Sequence, residues 1–436
     1  MAPEIIGLLF FAMALILLVL GVHIGLCLAL AAVLGIMAIT GFGGLLGILK
    51  TVPYHATAEY PLSVVPLFIL MGMFSLSGGI SEGAYKAINS WVGKFRGGLG
   101  IATVWACTAF GATSGSSVAA ASVFTKVSLP EMRKAGYEPN FACAGIATAS
   151  TIAMLIPPSL YLVIYGMLAE ASIARMLMAG FLPGLLQAVT LSLGILFMAI
   201  RNPKLAPPSA IKFTWGERFF NSVKAWPMVL LAVIIIGGIY SGVFSPTEAA
   251  AVGAFAALVI TVAHRRLSWG EFLFSLRETA FTSAMLMFVI IGATMFSRLL
   301  TISGLTMWLG EIILSSGLTP MHLIMVLMVI FLVLGCFIDA LSIMFITIPV
   351  FIPIVIAMNI NLIYFGVLTS VALNMGTITP PFGLCVYTVK AVAGPDVTVE
   401  GVFRGAIPMY LPVLATLVLL VAFPQISLLL PNTMLG

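Results

Sequence analysis

The chain has 436 residues, 61% of them hydrophobic and 8% charged, against roughly 25% charged in soluble globular domains. Its formal net charge of +5 reports membrane topology and not a nucleic-acid partner, and continuous apolar runs without alternation exclude a porin-like barrel. The fold class is therefore an all-α polytopic membrane protein with no soluble domain.

The N-terminus enters an apolar segment almost directly, without the basic start and cleavage site of a signal peptide. Five crossings are expected near 5–20, 23–42, 62–79, 140–165 and 173–200, each at or near the roughly 20 residues that span a bilayer. A mixed-face helix at 82–95, carrying Trp91, suits the headgroup level. A re-entrant hairpin follows at about 99–131, turning near 111–117. After a basic linker at 201–226, five more crossings are expected near 227–242, 247–264, 280–299, 362–386 and 402–430. They are joined by a surface helix at 304–315 with Trp308 and a second re-entrant hairpin at 320–355, turning near 336–341. The five cysteines lie in apolar segments and read as small packing residues.

Sliding the chain by 223 residues superposes Pro157-Pro158 on Pro380-Pro381 and Pro130 on Pro353. One unit is written twice, as 1–200 and 227–436. Five crossings per unit is odd, so the second unit must be inverted. With the N-terminus outside, only Lys50, Arg175 and Arg298 of the 19 Lys and Arg fall outside, which satisfies the positive-inside rule. Both termini are then periplasmic and the linker, with Lys212, cytoplasmic. Duplicated units with matching helix breakers are a signature of secondary transporters, whose unwound backbone holds ion and substrate.

The first hairpin carries Thr113, Ser114, Gly115, Ser116 and Ser117 at its turn, opposite Thr148, Ser150, Thr151 and the break at Pro157. The second carries Asp339 and Ser342, opposite Asn374, Gly376, Thr377, Thr379 and the break at Pro380. Proline strips carbonyls of their helix partners, and free carbonyls with Ser, Thr and Asn oxygens suit a hard monovalent cation. Asp339 is the acidic residue deep inside an apolar run, where a carboxylate costs roughly 2.5–3.5 kcal/mol. Three plainer readings stand beside these: tight packing of small residues, a proline kink, and Asp339 as a helix cap. Ser245-Pro246-Thr247-Glu248 reads as a helix start. No phosphate loop and no HExxH is present. Ala112-Thr113-Ser114-Gly115 is only faintly like an intramembrane serine-protease site, so an enzyme and a resident cofactor are not expected.

Taken together, the chain resembles the large membrane subunit, DctM-like, of tripartite ATP-independent periplasmic (TRAP) transporters. The carriers are Pro66-Leu67-Phe68-Ile69-Leu70-Met71-Gly72, the Gly111–Ser117 turn, Leu155-Ile156-Pro157-Pro158-Ser159, Phe244-Ser245-Pro246-Thr247-Glu248-Ala249-Ala250, Asn374-Met375-Gly376 and Thr379-Pro380-Pro381. His23 departs from the proline expected there. The resemblance implies sodium-coupled uptake of a small organic acid (sialic acid, a C4-dicarboxylate or a 2-oxo acid) across the bacterial inner membrane. It implies an elevator motion, a small four-helix membrane subunit and a soluble periplasmic binding protein. Since the chain starts in the first repeat, no fused small subunit is expected. The transport domain would be about 99–165 and 320–386, with the rest a scaffold. A self-sufficient dicarboxylate or anion carrier of the same design is the alternative.

Overall fold

In lipid every backbone group must be bonded within its own segment, so unpatterned apolar runs become helices. The computed structural model describes residues 2–208 and 213–434, and among these it contains helices and no strand. Lys212, expected in the cytoplasmic linker, lies outside the described residues, as do Met1 and 435–436.

The first half runs α1 (Pro3–Val19), α2 (Ile24–Thr57), a 3-10 turn at Tyr60–Ser63, α3 (Val64–Ser77) and α4 (Ile80–Val92). The first hairpin is α5 (Gly98–Ser114) and α6 (Ser117–Lys134). Then come α7 (Pro139–Ser150), a 3-10 turn at Thr151–Met154, α8 (Leu160–Leu168) and α9 (Ile173–Arg201). The linker folds as α10 (Trp215–Lys224), bent by 46° against the next segment. That segment is α11 (Trp226–Ala232), a π turn at Val233–Gly237 and α12 (Gly238–Tyr240). The second half continues with α13 (Pro246–Ala263), α14 (Trp269–Ile302), α15 (Leu305–Ser315), hairpin α16 (Pro320–Gly335) and α17 (Ala340–Ala357). It closes with α18 (Leu362–Gly376), α19 (Leu384–Ala393), α20 (Val399–Ala422) and α21 (Gln425–Thr433).

Among the described residues seven helical segments are long and apolar enough to cross a bilayer, or eight if the bent pair is one span. One of the seven is α17, an arm of the second hairpin, so six of the ten expected crossings are counted and the bent pair makes a seventh; the fourth in each half is broken into pieces too short to count alone, α7 with α8 and α18 with α19. α1 also falls just short, at 17 residues.

Several boundaries differ from expectation. The expected crossing 23–42 ends at a kink at Gly41, non-helical at φ 74°, and a further helical stretch that the sequence reading did not anticipate follows the kink to Thr57. α14 starts eleven residues before the expected 280 and has 34 residues, about 50 Å at 1.5 Å per residue, well beyond a 30 Å hydrocarbon core. α2 and α14 pack along each other, as do α3 and α13. A Cβ on Gly292 would stand 2.5 Å from the Gly25 carbonyl oxygen, so small residues let these two backbones meet. The last expected crossing, 402–430, divides into α20 and α21 at Phe423-Pro424. The α13 start is a capping box: Glu248 N–H donates to Ser245 Oγ at 3.3 Å and Ser245 N–H to Glu248 Oε2 at 2.8 Å. Among the described residues all five cysteines are free.

Candidate functional site

Each hairpin reverses in very few residues. In the first, α5 stays helical through Ser114, so the turn is Gly115-Ser116 alone and not the whole 111–117 stretch. Gly115 is left-handed at φ +60°, and a Cβ there would collide with the Pro158 carbonyl. The hairpin tip is thus seated on the first break. Ser116 caps α6, its Oγ accepting from Ala119 N–H at 3.3 Å. In the second hairpin the equivalent cap is Asp339, whose Oδ2 accepts from Ser342 N–H at 3.0 Å while Ser342 Oγ donates to Oδ1. That tip is seated on the second break through Phe382 N–H to the Cys336 carbonyl, 3.2 Å. Below it, a Cβ on Gly376 would lie 2.5 Å from Gly335 Cα.

The two breaks carry cis bonds at Pro157-Pro158 and Pro380-Pro381. Thr113, Thr148, Ser150, Thr151, Thr377 and Thr379 each donate their hydroxyl proton to a carbonyl three or four residues back, at 2.6–2.9 Å. A hydroxyl has one proton, so what these groups offer the site is lone pairs. Asn374 is fully buried with both amide atoms unpartnered, and Ser114 Oγ is buried and unpartnered. The ends of α7 and α18 point carbonyls toward the breaks, while the N-termini of α6, α8 and α17 begin beside them. Helix C-termini favour cations and N-termini favour anions, so both signs of charge find partners at this level.

The sites of the two halves meet. The Cys385 thiol of α19 lies beside the hydroxyls of Ser150, Ser117 and Thr377. Tyr161 of α8 stands beside Ser117 and within the field of Asp339. All expected site residues therefore fall on the two tips and two breaks, but the breaks differ in access. Leu155 through Ser159 are buried, whereas Pro380, Pro381 and Phe382 are exposed and Thr379 half-buried. Asp339 is half-buried and lines a cavity of about 400 Å³ with Leu18, Val22 and His23 of the α1–α2 turn.

The profile of the family described as "Tripartite ATP-independent periplasmic transporter, DctM component" matches residues 11–426. The chain belongs to this family. It is 34% identical over 380 residues to the C4-dicarboxylate TRAP transporter large permease protein DctM of Pseudomonas aeruginosa, covering 87% of this chain and 88% of that one. It is also 34% identical over 379 residues to the sialic acid TRAP transporter large permease protein SiaM of Vibrio cholerae, again 87% and 88%. In fold it is similar to the YdaH transporter of Alcanivorax borkumensis, with TM-score 0.61 and 16% identity over 99% of this chain and 98% of that one.

This DctM component is thus a multi-pass permease of a TRAP system in the bacterial inner membrane, and not an enzyme. Three residues around its tips escaped sequence reading. Tyr161 and Cys385 look like ordinary apolar-run residues. Gln187 of α9 donates from Nε2 to Thr151 Oγ1 at 3.1 Å, fully buried with Oε1 unpartnered. A lone amide in the apolar run 181–200 was the available signal. Arg298, expected at the outer interface, lines a cavity of about 520 Å³ together with Glu59, Glu170 and His55.

Proposed function

We propose that this DctM component performs sodium-coupled, binding-protein-dependent uptake of a small organic acid by an elevator motion. The observation that carries the reading is the convergence of lone-pair donors from both halves: Asn374 buried without partners, and Ser117, Ser150 and Thr377 around one thiol. A monovalent cation would satisfy those oxygens, and the α6 N-terminus, whose cap is the neutral Ser116, would receive a carboxylate.

In this reading the chain is two inverted repeats, 1–200 and 227–436, each of five spans and one re-entrant hairpin, with both termini periplasmic. Residues of about 99–165 and 320–386 move as the transport domain against a scaffold made of the rest. The scaffold meets a small four-helix membrane subunit, and a soluble periplasmic binding protein delivers the substrate. Relatives named for C4-dicarboxylates and for sialic acid support a carboxylate; a 2-oxo acid is compatible with the same chemistry. Sodium is cargo, and no resident cofactor is invoked.

The test is uptake into proteoliposomes holding the permease and its partner subunits, with candidate acids offered through the binding protein. Uptake should follow an inward sodium gradient and stop when choline replaces sodium. Full uptake in choline would sink the sodium reading.

A further inference from the structure

α4 and the bend between α10 and α11 make a place of opposite chemistries that the transport site does not use. On one side lies a cavity of about 480 Å³ lined by Lys86 of α4, Lys224 of α10, and His264 and Arg266 beyond α13, with Glu82 as its acid. Glu82 sits 3.6 Å from Arg266, which leaves Lys86 and Lys224 in excess. On the other side lies a groove of about 750 Å³, lined by Ala84, Ile88, Trp105, Ala112, Met228 and Val233 and almost wholly apolar. The two share walls: Gly83 and Lys86 face the basic cavity while Ala84 and Ala87 face the groove. They adjoin where α4 meets the α10–α11 bend, since a Cβ on Gly83 would stand 3.3 Å from the Lys224 carbonyl oxygen.

The depth of this place is marked. Trp91, Trp215 and Trp226 are exposed around it, and the Arg218 guanidinium lies 5.8 and 5.1 Å from the first two rings. Tryptophan and snorkelling basic side chains gather at the headgroup level of a bilayer. The basic cavity is therefore at headgroup height and the groove extends from it into hydrocarbon. Its mouth is formed by Val229 and Val233, each 60% exposed.

We propose that this is a binding site for an anionic phospholipid, with the phosphate-bearing headgroup at Lys86 and Lys224 and an acyl chain in the groove. A phospholipid meets both demands at once, since its charge and its chain are joined at the spacing of the headgroup boundary. Each basic residue near a membrane surface is worth about 1 kcal/mol toward an anionic lipid, and the groove gains with each methylene it buries.

The experiment is native mass spectrometry of the full chain in detergent, titrated separately with phosphatidylglycerol and with zwitterionic phosphatidylethanolamine, and thermal melting confirms folding of every variant. Phosphatidylglycerol should be retained more tightly. Lys86→Gln with Lys224→Gln should weaken it about 30-fold, two basic contributions at tenfold per 1.4 kcal/mol, and leave phosphatidylethanolamine unchanged. Val233→Trp, at the exposed mouth, should weaken both lipids, and Val229→Trp gives a second variant of the same kind. Equal retention of the two lipids by wild type and charge variants would overturn the anionic site. Phosphatidylglycerol binding that ignores both Trp variants would reduce it to surface adsorption. A co-purified protein subunit that excludes lipid from the groove would assign the place to that partner instead.

Discussion

Asp339 is a helix cap in the structure and a charge at the cation site in the proposed function, and one substitution separates the two. As the cap of α17 it accepts from Ser342 N–H at 3.0 Å, a task that Asn performs about equally well. As a charge at the second tip it has no basic side chain among its hydrogen-bond and ion-pair partners in the described residues. Asp339→Asn should therefore leave thermal stability within about 0.5 kcal/mol and raise the sodium concentration for half-maximal uptake, while Asp339→Ala lowers both stability and uptake. Unchanged sodium dependence in folded Asp339→Asn protein would leave the residue as a cap only. Asn374 gives the complementary case. Buried with both amide atoms unpartnered, it costs the empty protein about 1–3 kcal/mol for each unmet group. Asn374→Leu, similar in volume, should raise the melting temperature of the detergent-solubilised protein in sodium-free buffer and abolish uptake. A variant that transports like wild type would remove Asn374 from the site.

At the scale of elements, glycines set where tips and breaks touch. Gly376→Ala would place a Cβ 2.5 Å from Gly335 Cα, backbone that cannot swing away. It should force α16 from α18, lower the melting temperature, and suppress uptake. Gly47→Ala in α2 meets nothing within 4 Å and should be neutral or stabilise by up to about 1 kcal/mol; equal melting temperatures for the two variants would discount the Gly335–Gly376 contact. The two helical hairpins and both broken spans were legible because Pro and Gly act on their own few residues, wherever the chain lies. The capping at Ser245 was legible for the same reason. What hydropathy could not reveal was length. The stretch past the Gly41 kink carries Lys50, Thr51 and Pro53 and nevertheless stays helical to Thr57. α5 likewise keeps its helix through Ser114 where composition suggested a turn, and Gly72 of α3 lies so close to Ser114 Cα that a Cβ would stand 3.2 Å away. Tyr161 and Cys385 gained their place at the site only when the two halves came together.

At the scale of the molecule, the two equivalent breaks stand in unequal surroundings, which is what one state of the proposed elevator would show. Leu155–Ser159 is sealed while Pro380–Phe382 is open, and the second tip faces the α1–α2 turn across a cavity of about 400 Å³. Sequence carries no sign of this difference, because one chain must serve every state. If the tips and breaks travel together against the scaffold, Phe337 and Val22, which both line that cavity, must change their separation in each cycle. Cys336 and Phe382, joined by the 3.2 Å backbone bond between tip and break, must not. Two cross-linked pairs decide the matter with a flexible bis-maleimide. Cys27, Cys107, Cys143 and Cys385 are buried and out of the reagent's way. Val22→Cys with Phe337→Cys, in a Cys336→Ser background, should lose uptake on cross-linking and regain it with a cleavable linker. Native Cys336 with Phe382→Cys should keep most of its uptake when joined, because both residues ride on one rigid body. The opposite pattern, with transport surviving the scaffold link and lost on the tip-to-break link, would mean that the second hairpin opens as a local gate, and the domain boundaries at 99–165 and 320–386 would have to be given up.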